Sequence, residues 1–332
     1  MLVVATSAAG TLRKADILGY EKYAKEQGSC LKTYNPGELM FKIAEEQSIN
    51  ITPENILDAP QNELTLLRRV ALEQLKPNFD AHNKQGDVAI LRTHAMFPWK
   101  NVPQSAWSTK AISALNPDMF ITFVDEAPLI LERLAENKQW AKVNFSLKEI
   151  LWWMAYEVNM ARDWADFLNK PFYVVPAGAP PDFLYQLLFK PEAEMAYVSM
   201  PITHGYDEET QSKLDNFIKS LKKHFLVFDP RYVKPMDGSK GEIFNMAISN
   251  NIVNRDLNLF LRQSKRLIAY WPKVISSPGM VDEIVKASEA NKEVWLVWPE
   301  GESISPFLLH YAHKVFTEKE FALHLETNFN KI

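Results

Sequence analysis

Ser276-Ser277-Pro278-Gly279-Met280-Val281-Asp282-Glu283 joins two runs of opposite character. Before it, Leu267-Ile268-Ala269-Tyr270-Trp271 is apolar throughout and reads as a buried strand. After it, Glu283-Ile284-Val285-Lys286-Ala287 reads as the start of a helix. A strand, a Ser/Gly turn and a helix N-terminus make an anion site, because the first helical N–H groups lack partners and the helix dipole favours negative charge there. Gly279 lets the backbone approach a ligand. On this reading Glu283 falls in or near the first helical turn, close to whatever the turn holds. The plainer reading makes Ser277 a helix cap and Glu283 a solvated first-turn acid.

The surrounding C-terminal half repeats the strand–helix theme. A strand over Met195–Met200 runs into a Pro201–Tyr206 loop, and a helix over Glu208–His224 follows. Phe225–Phe228 is a strand closed by Asp229-Pro230, and polar residues 231–241 form a loop. A helix from about Glu242 to Arg262 carries Asp256, and Glu293–Trp298 is a last parallel strand.

In the N-terminal half, Met1–Ala5 reads as a first strand, followed by Thr6–Lys14 and a helix to about Gln27. A working phosphate-binding loop there needs a Gly-Lys-Ser/Thr end, so that backbone N–H groups and the Lys hold phosphates and the hydroxyl holds Mg²⁺. Gly10 and Lys14 are present, but Arg13 replaces the second Gly and Ala15 the hydroxyl. Asp87–Leu91, Met119–Val124 and Phe172–Pro176 read as further strands, with helices over Ala127–Leu134 and Leu147–Leu168 between them. Alternating strands and helices predict an α/β protein with parallel sheets. Ala177-Gly178-Ala179-Pro180-Pro181 breaks the pattern. A polar hinge at Lys190–Glu194 then divides residues 1–190 from 191–332, giving two domains, each a parallel sheet flanked by helices.

The net charge of −4 gives no reason to expect binding to nucleic acid or a membrane. No apolar run approaches a membrane span, and the short apolar N-terminus lacks the basic flank of a signal peptide, so a cytoplasmic protein is expected. The single Cys30 argues against an internal disulfide and any cysteine-based zinc site, so no metal is expected.

Two resemblances follow from these motifs. The strand order of residues 1 to about 188, with the Thr93-His94 strand end, the Asp118…Asp125 strand and the Arg162 helix, resembles the adenylate kinase-like P-loop kinases in degenerate form. That resemblance implies a nucleotide site at Gly10, Lys14 and Arg162 for ATP and Mg²⁺, against which Arg13 and Ala15 count. Residues 195–300 resemble the nucleoside 2-deoxyribosyltransferase family, which includes the 2'-deoxynucleoside 5'-phosphate N-hydrolases. The motifs that carry this are Ser199-Met200-Pro201-Ile202, the helical Asp256, and Ser277-x-Gly279-x-x-x-Glu283.

The second resemblance implies a Rossmann-like domain that cleaves N-glycosidic bonds without a cofactor. Glu283 would be the nucleophile, Asp256 the acid at the nucleobase, and Ser199, Pro201, Ile202, Ser277 and Gly279 would bind substrate. A serine at 277, where the free-nucleoside transferases carry an aspartate, favours a 5'-monophosphate. The hydrolases' loop arginine is missing, and His204, Arg231 or Lys240 is expected to supply its charge. The same resemblance implies a homodimer or larger assembly. Hydrolysis of a (deoxy)nucleoside 5'-monophosphate is the leading expectation. Deoxyribosyl transfer between bases, a nucleotide sensor and a nucleotide kinase are the alternatives.

Overall fold

The computed structural model describes residues 1–99, 102–201, 207–233, 250–251 and 253–331, without the side chains of residues 83–85. The chain forms two compact units, Met1–Pro181 and Asp182–Ile332, where the sequence pattern suggests a division near residue 190. Among the described residues, no helix is long and apolar enough to cross a membrane.

The first unit begins with β1 (Leu2–Thr6), α1 (Lys14–Glu26), β2 (Leu31–Tyr34), α2 (Pro36–Glu46) and α3 (Gln61–Gln85). It continues with β3 (Val88–Thr93), the hairpin β4 (Met96–Trp99) and β5 (Val102–Ser105), and α4 (Thr109–Ser113). β6 (Met119–Val124), α5 (Ala127–Glu136), α6 (Leu147–Leu168) and β7 (Phe172–Pro176) complete it. Five strands pair in parallel in the order β2-β3-β1-β6-β7. All five residues of β1 are buried, as expected of a central strand covered by helices on both faces. Inside the sheet, the Thr6 and Thr122 hydroxyls share one hydrogen bond at 2.7 Å. The aromatic face of α6 divides: Trp153 and Trp164 are core, whereas Trp152 is exposed and packs edge-on against Tyr156.

The second unit takes in α7 (Pro181–Phe189), β8 (Met195–Ser199), α8 (Glu208–Leu221) and β9 (Leu226–Phe228). A π-helical turn follows over Arg255–Phe260, then β10 (Arg266–Tyr270), α9 (Pro278–Glu289) and β11 (Glu293–Val297). α10 (Pro306–Tyr311), β12 (Lys314–Phe316) and α11 (Glu318–Asn328) end the chain. The five strands are again parallel, in the order β12-β11-β10-β8-β9. One face of β8 and β10, through Ala196, Val198, Ile268 and Tyr270, joins a core with Leu214, Phe217 and Leu221 of α8.

Chain order reverses between β8 and β10: β9 lies to one side of the pair, β11 and β12 to the other. In an open parallel sheet, ligands bind outside the carboxyl ends of the strands at such a reversal. The ends of β8 and β10 there are Ser199 and the segment leading to Ser276–Glu283.

Candidate active site

Glu283 lies on α9, whose buried residues Met280, Ile284 and Ala287 mark the face turned to the sheet. Position 283 falls inside that i, i+3, i+4, i+7 stripe, so its carboxyl is carried inward. α9 starts at Pro278, earlier than the sequence suggests, which puts Glu283 in the second turn rather than the first. Tyr197 and Ser199 alternate along β8 and share one face of the sheet. The Tyr197 hydroxyl donates to one carboxylate oxygen of Glu283 at 2.6 Å, and the Ser199 hydroxyl donates to the other.

Burial pushes Glu283 up to about 7; the two hydroxyl donors hold it back, and the charges of Asp256 and Asp282 add to the rise. Burial, with the charges of Glu283 and Asp256, also holds the Tyr197 hydroxyl well above its ordinary value, so it remains a donor.

Asp256 enters from the π-helical turn, a distortion that occurs often at functional sites. Phe260, one turn on, stacks on Phe228 at 4.4 Å, and Phe228 stacks on Tyr197 at 5.6 Å. This aromatic ladder ties the segment carrying Asp256 to the strand that holds Glu283. Burial raises the Asp256 carboxyl, opposed by the Arg255 guanidinium, whose Nε donates to Asp256 at 3.1 Å. Two carboxyls with upward-shifted titrations therefore lie close enough for the charge of Asp256 to act on Glu283.

Ser277 occupies the N-cap position of α9, but its side chain makes no capping hydrogen bond. Its hydroxyl is not spent on the helix, contrary to the plain capping reading. A Cβ added at Gly279 would meet nothing within 4 Å, so the space over the first turn is open. A cavity of about 440 Å³ lies beside Ser276, Ser277, Pro278 and Val281, walled by Trp271 and Trp298. Pro201 is buried directly after β8; Ile202, His204 and Lys240 lie outside the described residues. Arg231 does not supply a free charge. Its guanidinium is held by Asp229 at 2.7 Å and by Asp215 at 2.7 Å.

The first unit has a separate cavity of about 660 Å³ outside the carboxyl ends of β1 and β3, lined among others by Gly10, Arg13, Arg68, Arg92, His94 and Arg133. Gly10 has φ of +80°, and a Cβ there would stand 3.2 Å from the Ile130 carbonyl oxygen, so a side chain would be strained and would press on that carbonyl. Arg133 donates to the Gly10 and Thr11 carbonyls at 2.9 Å and to Asp125 at 2.7 Å. Lys14 is exposed and does not line the cavity. Nor does Arg162, which lies over the Phe172 ring at 5.4 Å.

Of the basic groups that line the cavity, Arg68 and Arg92 are pushed down by burial, Arg68 to about 10. Burial also pushes His94 down to about 4, and its Nδ1 contacts the Ser7 carbonyl at 2.5 Å. Behind it, burial raises the Glu157 carboxyl to about 8, although it accepts from the Ala95 and Met96 amides at 2.7 and 3.3 Å.

A family model described as an AAA domain matches residues 20–149, less than half of the chain and wholly within the first unit. With the β2-β3-β1-β6-β7 strand order, this supports the expected fold. The first unit has a P-loop-kinase-like fold. No curated protein matches the chain. Among solved structures, deoxyadenosine kinase from M. mycoides with bound dATP is similar at 12% identity and a TM-score of 0.30, over 58% of this chain and 99% of that one.

Tyr197 is the site residue that motif reading passes over. Its signal is the two-residue spacing from Ser199, which puts two hydroxyls on one face of a strand that is otherwise apolar.

Proposed function

We propose that the second unit hydrolyses the N-glycosidic bond of a (deoxy)nucleoside 5'-monophosphate, as a deoxyribosyltransferase-like domain. The observation that carries this reading is the Glu283 carboxyl, gripped by Tyr197 and Ser199 at the strand reversal and raised further by the nearby Asp256. Cleaving such a bond develops positive charge on the sugar and negative charge on the base. An ionised carboxylate answers the first and a protonated one the second. Glu283 attacks the anomeric carbon, the glycosidic electron pair leaves with the base, and Asp256 gives that base a proton. Water then attacks the same carbon, Glu283 departs as the carboxylate, and the proton from water returns to Asp256. The products are free base and sugar 5-phosphate.

Each hydroxyl donor occupies one lone pair of Glu283 and fixes its orientation. The unspent Ser277 hydroxyl and the first N–H groups of α9 suit the phosphate dianion. No metal or cofactor enters this chemistry. A second base in place of water would give deoxyribosyl transfer, and the expected unit of activity is a cytoplasmic homodimer or larger assembly. Incubating the full chain with each deoxynucleoside monophosphate and separating the products by chromatography tests the reading. Free base should appear, and should vanish in Glu283→Gln; unchanged release in that variant would remove the nucleophile assignment.

A second reading concerns the first unit. Arg68 and Arg92 line its cavity while Lys14 stands outside it. This supports binding of a phosphate-bearing nucleotide without phosphoryl transfer, so that the unit acts as a sensor. A nucleoside monophosphate should then raise the melting temperature of wild type but not of Arg92→Ala.

A further inference from the structure

We propose that Cys30, His82 and Asp87 form a site for a zinc-class divalent transition metal at the amino-terminal edge of the first sheet. One ligand atom from each lies within 4.8 Å of the other two. The backbone brings them together. Cys30 immediately precedes β2 and Asp87 precedes β3, and these parallel strands start in register at Leu31 and Val88. The Val88 amide donates to the Cys30 carbonyl at 3.0 Å, and the Asp87 amide donates to the His82 carbonyl at 3.1 Å from the last turn of α3.

The imidazole is the independent observation. Its Nε2 lies 2.8 Å from the Tyr34 hydroxyl, while its Nδ1 is buried with no hydrogen-bond partner among the described residues. That orphaned nitrogen stands 3.7 Å from Asp87 Oδ2. A hydrogen bond that fixes the far nitrogen and leaves the near lone pair free is the usual support of a metal-bound histidine. The Cys30 thiol is exposed, which leaves a path for entry and room for a water as fourth ligand.

Sulfur, imidazole and carboxylate together suit zinc and disfavour magnesium or calcium. Tetrahedral zinc holds such ligand atoms about 3.4–3.6 Å apart, so the cluster closes by about an ångström on binding. Cys30 then binds as the thiolate and its proton passes to solvent. The cysteine count argues against a zinc site built on several cysteines; it does not bear on a mixed set that needs only one. The site lies at the opposite end of the sheet from the arginine-lined cavity. It ties the starts of β2 and β3 to the end of α3.

Cobalt(II) titration of the full chain after chelator dialysis tests this. One cobalt per chain should bind with a thiolate-to-cobalt charge-transfer band that zinc abolishes by displacement. Cys30→Ser should remove the band, and His82→Ala and Asp87→Asn should each weaken affinity at least tenfold. Tyr34→Phe should weaken it by about 10- to 100-fold through the loosened imidazole. Circular dichroism confirms that each variant is folded, and Asp87→Asn keeps the side-chain shape should His82→Ala fail to fold. Absence of the band overturns the proposal. So does a Cys30-dependent band whose affinity is unchanged in Asp87→Asn and Tyr34→Phe, which would mark a solitary surface thiolate.

Discussion

Tyr197→Phe removes one oxygen and keeps the ring, whose stack on Phe228 at 5.6 Å and 7° joins β8 to β9. The fold should therefore survive. What is lost is the 2.6 Å donor to Glu283. A hydrogen bond to a charged group contributes about 1.5–3 kcal/mol, and one pKa unit corresponds to about 1.4 kcal/mol. The donor favours the ionised form, so its loss should raise Glu283 by about one to two units, from about 7. Glu283 attacks as the carboxylate, so turnover rises with pH through its titration, and the acid limb should move upward by the same amount. At pH 7 the ionised fraction should fall from about one half to about 1–10%, a slowing of about 5- to 50-fold. Base release from a deoxynucleoside monophosphate between pH 5.5 and 9.5 reads the limb. An infrared titration of the protonated carboxyl stretch, assigned by difference from Glu283→Gln, reads the same shift without turnover. A limb and a carboxyl titration both unmoved from wild type would refute the claim that the Tyr197 hydroxyl stabilises the charged carboxylate.

Ser277→Ala should lower monophosphate turnover by about 10- to 150-fold, as expected for one lost charge-assisted hydrogen bond, and Ser277→Asp should do worse by opposing the dianion. Steady-state rates on a nucleoside and its monophosphate check this, and equal use of both by wild type would remove the phosphate site. ATP should give negligible phosphoryl transfer to any monophosphate, because residue 15 offers no hydroxyl for Mg²⁺; ADP formation that needs an acceptor and is lost in Lys14→Ala would contradict it. Glu157, raised to about 8 by burial, keeps its proton longer folded than unfolded, so its contribution is complete below about pH 4 and is lost as pH rises through 8. Glu157→Gln should therefore gain in melting temperature relative to wild type between pH 6 and 9, and parallel melting curves over that range would be against the assigned shift.

The sheets were legible where strands are long and apolar. Met119–Val124, Phe172–Pro176 and the Leu147–Leu168 helix agree with the sequence pattern end for end. β2 escapes notice because only Leu31 of its four residues is buried, so it carries neither an apolar run nor an alternation. α3 is broken as a pattern by Pro77 within it. In the β4–β5 hairpin, Pro98 faces Pro103 across the ladder, and two prolines argue locally against any strand.

The sites divide along a similar line. Glu283 and Asp256 are candidates reached through the order of short motifs that carries the family resemblance, with β10 between their two elements. The arginines of the first cavity come from α3, β3, α5 and the residue before α1, and the Cys30, His82 and Asp87 cluster joins two strand starts to a helix end. Neither has a local signature, because what brings the residues together is strand register. β2 pairs with β3 from Leu31 and Val88 onward, and this sets Cys30 beside Asp87 at one edge of the sheet. At its other end the same β3 strand closes with Arg92 and Thr93, followed by His94, at the mouth of the cavity. A change that slips β2 against β3 by one residue would therefore reach both ends at once, parting Cys30 from Asp87 and moving Asn35 and Pro36, which follow β2, along the cavity wall.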